Sequence, residues 1–253
     1  MAPETFPALF DLFVRKTQPI KLYKGFRLFA ADGSDIQIPN NPGHISSHYL
    51  GANGQAPYNI LHLDAIYDLL QCTYQDASLV GDREANEQAS LCRMVDRSAA
   101  EKVLIIMDRG YEGYNLFGSD TQIFPPMELK KLYAMRWGIE SSSRKLKYTV
   151  GLLHFHAKKV EHIYQEVFAR LIMYNFTELI TSPVIIQKAD AKYGYKANFT
   201  VAVHVCRQFF LGNVSPPDVE AVIRRNISPI RPGRSSPRNM TVKHTVSFLY
   251  RVA

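Results

Sequence analysis

Two short apolar runs, Phe26 to Ala31 and Lys102 to Met107, each lead directly into an aspartate with a glycine close behind: Asp32-Gly33 and Asp108-Arg109-Gly110. Short continuous apolar segments bounded by turn residues read as buried strands. The first is therefore expected to end at the turn sequence Asp32-Gly33-Ser34, and the second, centred on Val-Leu-Ile-Ile, to be a central strand ending at Asp108. Strands buried in this way must be covered by helices, which makes a mixed α/β fold the expectation, with a sheet flanked by helices and a helical C-terminal part.

The rest of the chain agrees with that class. Pro39 to Pro57 is rich in Asn, Gly, Pro and Ser and reads as loop. Asn59 to Asp68 and Leu70 to Leu79 read as further strands, although Asp64 to Leu70 also suits a helix start. Arg83 to Asp96 and Glu128 to Tyr148 have helical composition. Val160, Ile163, Tyr164, Val167, Phe168, Leu171 and Ile172 form an amphipathic stripe at helical spacing. Lys196 to Leu211 and Pro217 to Arg225 read as two more helices. The domain reading is a core over residues 1–182 followed by a helical extension over 183–253.

No apolar run approaches the roughly 18 residues of a membrane span. The N-terminal Met-Ala-Pro-Glu-Thr-Phe also lacks a secretory pattern, so a cytoplasmic protein is expected. Cys72, Cys92 and Cys206 are widely separated and read as buried thiols, with neither a disulfide framework nor a zinc site. The formal charge is +7, and from Ala221 to Ala253 there are seven Lys or Arg (Arg224, Arg225, Arg231, Arg234, Arg238, Lys243 and Arg251) and no acid. Such a tail is either a solvated terminus or an arm that grips phosphates.

Carboxylates delivered to the carboxyl ends of neighbouring strands stand on rigid supports beside a crevice, and two of them can share a metal ion. Asp-Gly is also an ordinary turn, so neither aspartate is decisive alone. A third element lies on the helix. At about 100° per residue, Tyr133, Arg136, Glu140, Arg144 and Lys147 share one stripe roughly 80° wide. Leu132, Met135, Ile139 and Leu146 lie beside that stripe and can pack on the sheet. One Glu among cations suits a metal ligand flanked by phosphate-binding groups. It also suits a helical ion pair of Glu140 with Arg136 or Arg144. Asp35, Asp64 and Asp82 compete for a ligand role. His154 and His156, one residue apart without a third ligand, make a poor metal site. Trp137 borders the stripe, where a structural role is favoured over base stacking.

The spacing of Tyr133, two residues, Arg136, three residues, Glu140, six residues and Lys147 resembles the Tyr-Arg-Glu-Lys signature of the IS-four family of bacterial insertion-sequence transposases. The whole segment Leu132 to Tyr148 is similar to that family. So are Asp32-Gly33-Ser34, like its first catalytic block, and Asp108-Arg109-Gly110-Tyr111, like its second. The resemblance runs from about Lys24 to Asn175. It implies a ribonuclease H-like catalytic core and a DNA transposase that cleaves insertion-sequence ends and joins them to target DNA. Asp32, Asp108 and Glu140 would be the catalytic acids holding two Mg²⁺ (or Mn²⁺) ions. Tyr133, Arg136, Arg144 and Lys147 would contact DNA. The partners implied are transposon-end and target DNA, with a homodimer assembled on them.

Two departures from the family pattern stand out. Asp108 and Glu140 are only 32 residues apart, which implies loss of the family's β insertion, with Phe117 to Ile123 as the junction. Asp32 lies close to the start, which implies loss of an N-terminal DNA-binding region. Two alternatives therefore stay open: a non-catalytic remnant that binds DNA or a transposase partner, and a ribonuclease H-like nuclease.

Overall fold

The computed structural model describes residues 2, 4–17, 21–51, 54–98, 102–108, 124–184 and 194–230. Arg109 to Ile123, which include the expected insertion junction, lie outside the described residues, as does the tail from Arg231 onward.

Helix α1 (Thr5–Lys16) precedes a long strand β1 (Arg27–Ile38). The pair β3 (Tyr58–Asp68) and β4 (Thr73–Gly81) follows, after a two-residue strand β2 (His48–Tyr49). Helix α2 (Glu87–Asp96) then leads to β5 (Val103–Ile106). β1 pairs antiparallel with β3 and parallel with β5, and β2 and β4 both pair antiparallel with β3. The fold is thus a mixed sheet flanked by helices, consistent with a ribonuclease H-like architecture. Among the described strands β5 stands at the end of the order, not in the centre.

β1 does not stop at Asp32. It continues through Asp32-Gly33-Ser34 to Ile38, because β3 pairs with it along the whole stretch, from Phe29↔Asp68 to Ile38↔Asn59. Ladder hydrogen bonds from a full-length partner outweigh the local turn preference of Asp-Gly. The alternation beyond the expected turn is also regular. Ala30, Ile36 and Ile38 face one core with Leu61, Leu63, Ala65 and Tyr67 of β3, while Phe29 and Ala31 face another with Ile66. The turn lies instead at Leu69–Cys72, where the buried Asp68 side chain accepts hydrogen bonds from the Leu70 and Gln71 amides.

The first core is covered by α1 and by helices α4 (Trp137–Arg144) and α5 (Val160–Thr181), whereas helix α3 (Pro126–Met135) packs Leu132 against Leu28, Ile106 and Phe124. Leu132, Ile139 and Leu146 are buried as expected, but Met135 is exposed, because the helical path tightens at Arg136 between α3 and α4. After Arg144 the path widens into a π-helical turn, Lys145–Val150, and ends at Gly151 in the left-handed conformation. On α5 the predicted stripe is in place: Val160, Ile163, Val167, Phe168 and Leu171 are buried, with Tyr164 and Ile172 packed at its margin. α5 is fastened to β4 by Asn175, whose amide accepts from Tyr74 N and donates to Tyr74 O, both at 2.7 Å.

The second core, on the opposite face of the sheet, rests on Leu91 and Met94 of α2. Strand β6 (Tyr195–Ala197), helices α6 (Phe199–Phe210) and α7 (Pro216–Arg225), and strand β7 (Ile227–Pro229) complete the described chain. α6 and α7 share a core around Ala202, Cys206, Val219 and Ile223 that includes Met173, Phe176 and Ile180 of α5. Cys206 is buried, but Cys72 and Cys92 are exposed, contrary to the sequence reading. Cys72 sits in the β3–β4 turn at φ 58, and Cys92 follows the buried Leu91 onto the outer side of α2.

Candidate active site

β1 and β5 run parallel in a register that pairs Ala30 with Ile106. Asp32 and Asp108 each lie two residues beyond the last pair of that register. Neighbouring parallel strands thus deliver both acids to one end of the pair. Asp32 follows Ala30 at the two-residue strand period, so it points to the face that α4 covers.

Glu140 comes from α4, which sits close to the sheet. Ile139 is fully buried in the first core, and a Cβ on Gly138 would stand 2.7 Å from Leu69 Cδ2. Glycine here leaves room for the end of the Leu69 side chain against the helix. Between the acids lies Arg136, only 6% exposed, with Nη2 at 2.8 Å from Glu140 Oε1 and 3.9 Å from Asp108 Oδ1. Its Nε is buried with no hydrogen-bond partner. The helical ion pair weighed from the sequence is present, and the same guanidinium also reaches the strand-borne aspartate.

The electrostatics reflect this crowding. The Asp32 carboxyl is pushed up to about 6, first by burial and then by the negative charge of Glu140, with Glu87 and Asp108 adding to it and Arg136 opposing. Asp32, Asp108 and Glu140 thus share one neighbourhood. They are not among the groups whose ligand atoms all lie within 4.8 Å of one another, and the Arg136 guanidinium stands between two of them.

The remaining predicted residues divide by location. Arg144 is exposed at the end of α4. Tyr133 and Trp137 are exposed on either side of Arg136, whose guanidinium carbon lies 5.6 and 5.4 Å from their ring centres. Trp137, at 59% exposure, is thus not the structural aromatic favoured from the sequence. The helix turns it outward, with the Arg136 guanidinium over its face. Lys147 Nζ donates to the Asp35 backbone carbonyl at 3.1 Å. Burial lowers its pKa, and Asp35 and Asp32 oppose that.

The three competing aspartates lie elsewhere. Asp35 and Asp64 follow the alternation of Phe29 and Ala31, so they belong to the α2 face of the sheet, and both meet His62. His62 is pushed up to about 10 by its hydrogen bonds to Asp35 and Asp64. Asp82, just after β4, accepts from the Tyr49 hydroxyl at 2.5 Å. The sequence reading did not single out His62 or Glu87. The strand alternation of His62-Leu63-Asp64 opposite Gly33 and Asp35 is the signal that could have found the first of them. His154 and His156 belong to no candidate metal group among the described residues.

Residues 116–176 match the family model described as Transposase DDE domain. The matched segment contains Tyr133, Arg136, Glu140, Arg144 and Lys147 but neither Asp32 nor Asp108. No curated protein and no solved structure matches the chain.

Proposed function

We propose that this chain is the catalytic core of a DNA transposase of the IS-four type, in which Asp32, Asp108 and Glu140 jointly hold two Mg²⁺ or Mn²⁺ ions. The match to the transposase DDE domain supports a DDE transposase, a nucleotidyl-transfer enzyme acting on DNA. What supports the site assignment is that Arg136 lies against both Asp108 and Glu140, and that the charges of all three act on the Asp32 carboxyl.

The residues fit divalent ions on chemical grounds. A half-buried carboxyl raised to about 6 by burial, and then by neighbouring carboxylates, is short of positive charge, which the Arg136 guanidinium supplies in part. When bound, a pair of divalent ions activates an attacking oxygen and stabilises the leaving oxygen of a phosphodiester. Asp32, Asp108 and Glu140 would be the residues that hold these ions.

The chain's own groups do the rest. With Glu140 and Asp108 engaged by divalent ions, Arg136 would be left with donors for a DNA phosphate. Lys147 and the exposed Arg144 extend the cationic edge, and Tyr133 and Trp137 offer flat faces to sugar or base. Ile139 and Leu146, buried against the sheet, hold the helix so that Glu140 does not swing away. The proposed partners are transposon-end and target DNA, bound by a homodimer. The short link from Asp108 to Glu140 corresponds to a family member without its β insertion.

The test is nicking of supercoiled plasmid by the purified chain with Mg²⁺ or Mn²⁺, alongside Asp108→Ala. The expected result is metal-dependent nicking by the parent chain and none by the variant. Equal nicking by both, or none by either, contradicts the proposal.

A further inference from the structure

On the face of the sheet away from Glu140, His62 is held between carboxylates by both ring nitrogens. Nδ1 lies 2.7 Å from Asp35 Oδ1, and Nε2 lies 3.1 Å from Asp64 Oδ1 and 3.5 Å from Glu87 Oε1. The Asp64 side chain is 1% exposed, and its second oxygen, Oδ2, has no hydrogen-bond partner. A buried carboxylate oxygen left unpaired is costly, and such groups in native structures call for a missing ligand or water. His62, Asp64 and Glu87 each offer a ligand atom, and these atoms all lie within 4.8 Å of one another.

The surroundings keep this space open. Gly33 is the register partner of Asp64, and a Cβ there would collide with Glu87 Oε1 and stand 2.7 Å from His62 Nε2. Any other residue at position 33 would fill the gap between the helix acid and the imidazole. Asp35 on Nδ1 completes a carboxylate–histidine arrangement that fixes the ring and its tautomer when Nε2 binds a metal ion. Glu87, in the first turn of α2 and partly exposed, gives an entry path from solvent.

We infer that His62 Nε2, Asp64 and Glu87 form a second metal site, separate from the acids around Arg136, that takes a first-row divalent transition ion such as Zn²⁺ or Mn²⁺. One imidazole and two carboxylates suit these ions, whereas Mg²⁺ prefers an all-oxygen shell. A second group, Asp35, His62 and Asp82, also lies within 4.8 Å. It is the weaker choice, because Asp82 is occupied by the Tyr49 hydroxyl and Asp35 Oδ1 is already bonded to His62 Nδ1. On binding, the ion takes the place of the Nε2 proton and pairs the orphaned Asp64 oxygen.

The test uses the full chain with the front acids neutralised (Asp32→Asn, Asp108→Asn, Glu140→Gln) and both exposed thiols replaced (Cys72→Ser, Cys92→Ser). Its outcome is therefore independent of the transposase reading. Zn²⁺ is titrated calorimetrically while the His62 imidazole ¹⁵N resonances are followed. The expected result is one saturable Zn²⁺ with a shift of the Nε2 resonance. Adding Asp64→Asn should abolish the binding. Adding Glu87→Gln or Asp35→Ala should weaken it roughly 10–100-fold, the range typical of lost ligand support. Glu87 lies at a helix start and is partly exposed, so its variant keeps the test readable if Asp64→Asn fails to fold. Absence of saturable Zn²⁺ binding, or binding indifferent to both Glu87→Gln and Asp35→Ala, overturns the inference.

Discussion

The Arg136 guanidinium lies 2.8 Å from Glu140 Oε1, one helical turn away, while almost wholly buried. A buried cation between acids holds them together when no metal does, and its removal leaves like charges facing one another. Arg136→Met should therefore lower stability by about 1–3 kcal/mol in urea unfolding, the range for a lost charged hydrogen bond. Mg²⁺ should restore much of that loss in the variant and add less to the parent chain. A variant as stable as the parent, or indifferent to Mg²⁺, contradicts this role.

Asp32 gives a pH dependence whose sign is fixed. Its folded pKa of about 6 lies above the usual aspartate range, so the folded chain takes up this proton more readily than the unfolded chain. This residue's contribution to stability is then best at low pH and is lost as pH rises from about 4 to about 6. Metal affinity should move the opposite way and rise through pH 6, because the ions require the carboxylate. Carbon-detected titration of Asp32 should place its midpoint near 6, and Glu140→Gln should lower that midpoint.

Ile139 is the fully buried neighbour that presses α4 onto the sheet. Ile139→Ala should cost about 2–5 kcal/mol, as large-to-small core changes do. DNA cleavage should fall even at temperatures where the variant is folded, because Glu140 then loses its rigid support. Unchanged cleavage by the folded variant would separate Glu140 from its packing.

Asn175 pairs with both backbone groups of Tyr74 inside the core. Asn175→Ala strands a buried amide and a buried carbonyl, with an expected loss on the order of 2–4 kcal/mol. Amide exchange at Tyr74 should speed up beyond what the global loss explains.

Much of this arrangement is legible before any coordinates. Apolar runs and the helical stripe of Val160 to Ile172 announce strands and helices, since burial imposes their periods. Asp32 and Asp108 are visible as acids after apolar runs. What the chain alone conceals is set by pairing partners far away in sequence. The extension of β1 through Asp32-Gly33-Ser34 depends on β3, the edge position of β5 depends on the whole sheet, and the outward turn of Met135 and Trp137 depends on a one-residue tightening at Arg136. His62 shows only in the alternation it shares with Asp64, which becomes meaningful once β1 is paired opposite, and a lone glutamate at a helix start such as Glu87 carries no signal until the fold brings it to Gly33 and His62.

The central claim is that Asp32, Asp108 and Glu140 act as one unit on DNA. Its most direct test is the Mn²⁺-supported DNA cleavage rate of Asp32→Asn, Asp108→Asn, Glu140→Gln and the triple variant. Groups that share a metal pair lose activity together, so each single change should cost on the order of 10³-fold or more, with the triple no worse than the worst single. Substantial cleavage by any one of the three single variants would contradict the account.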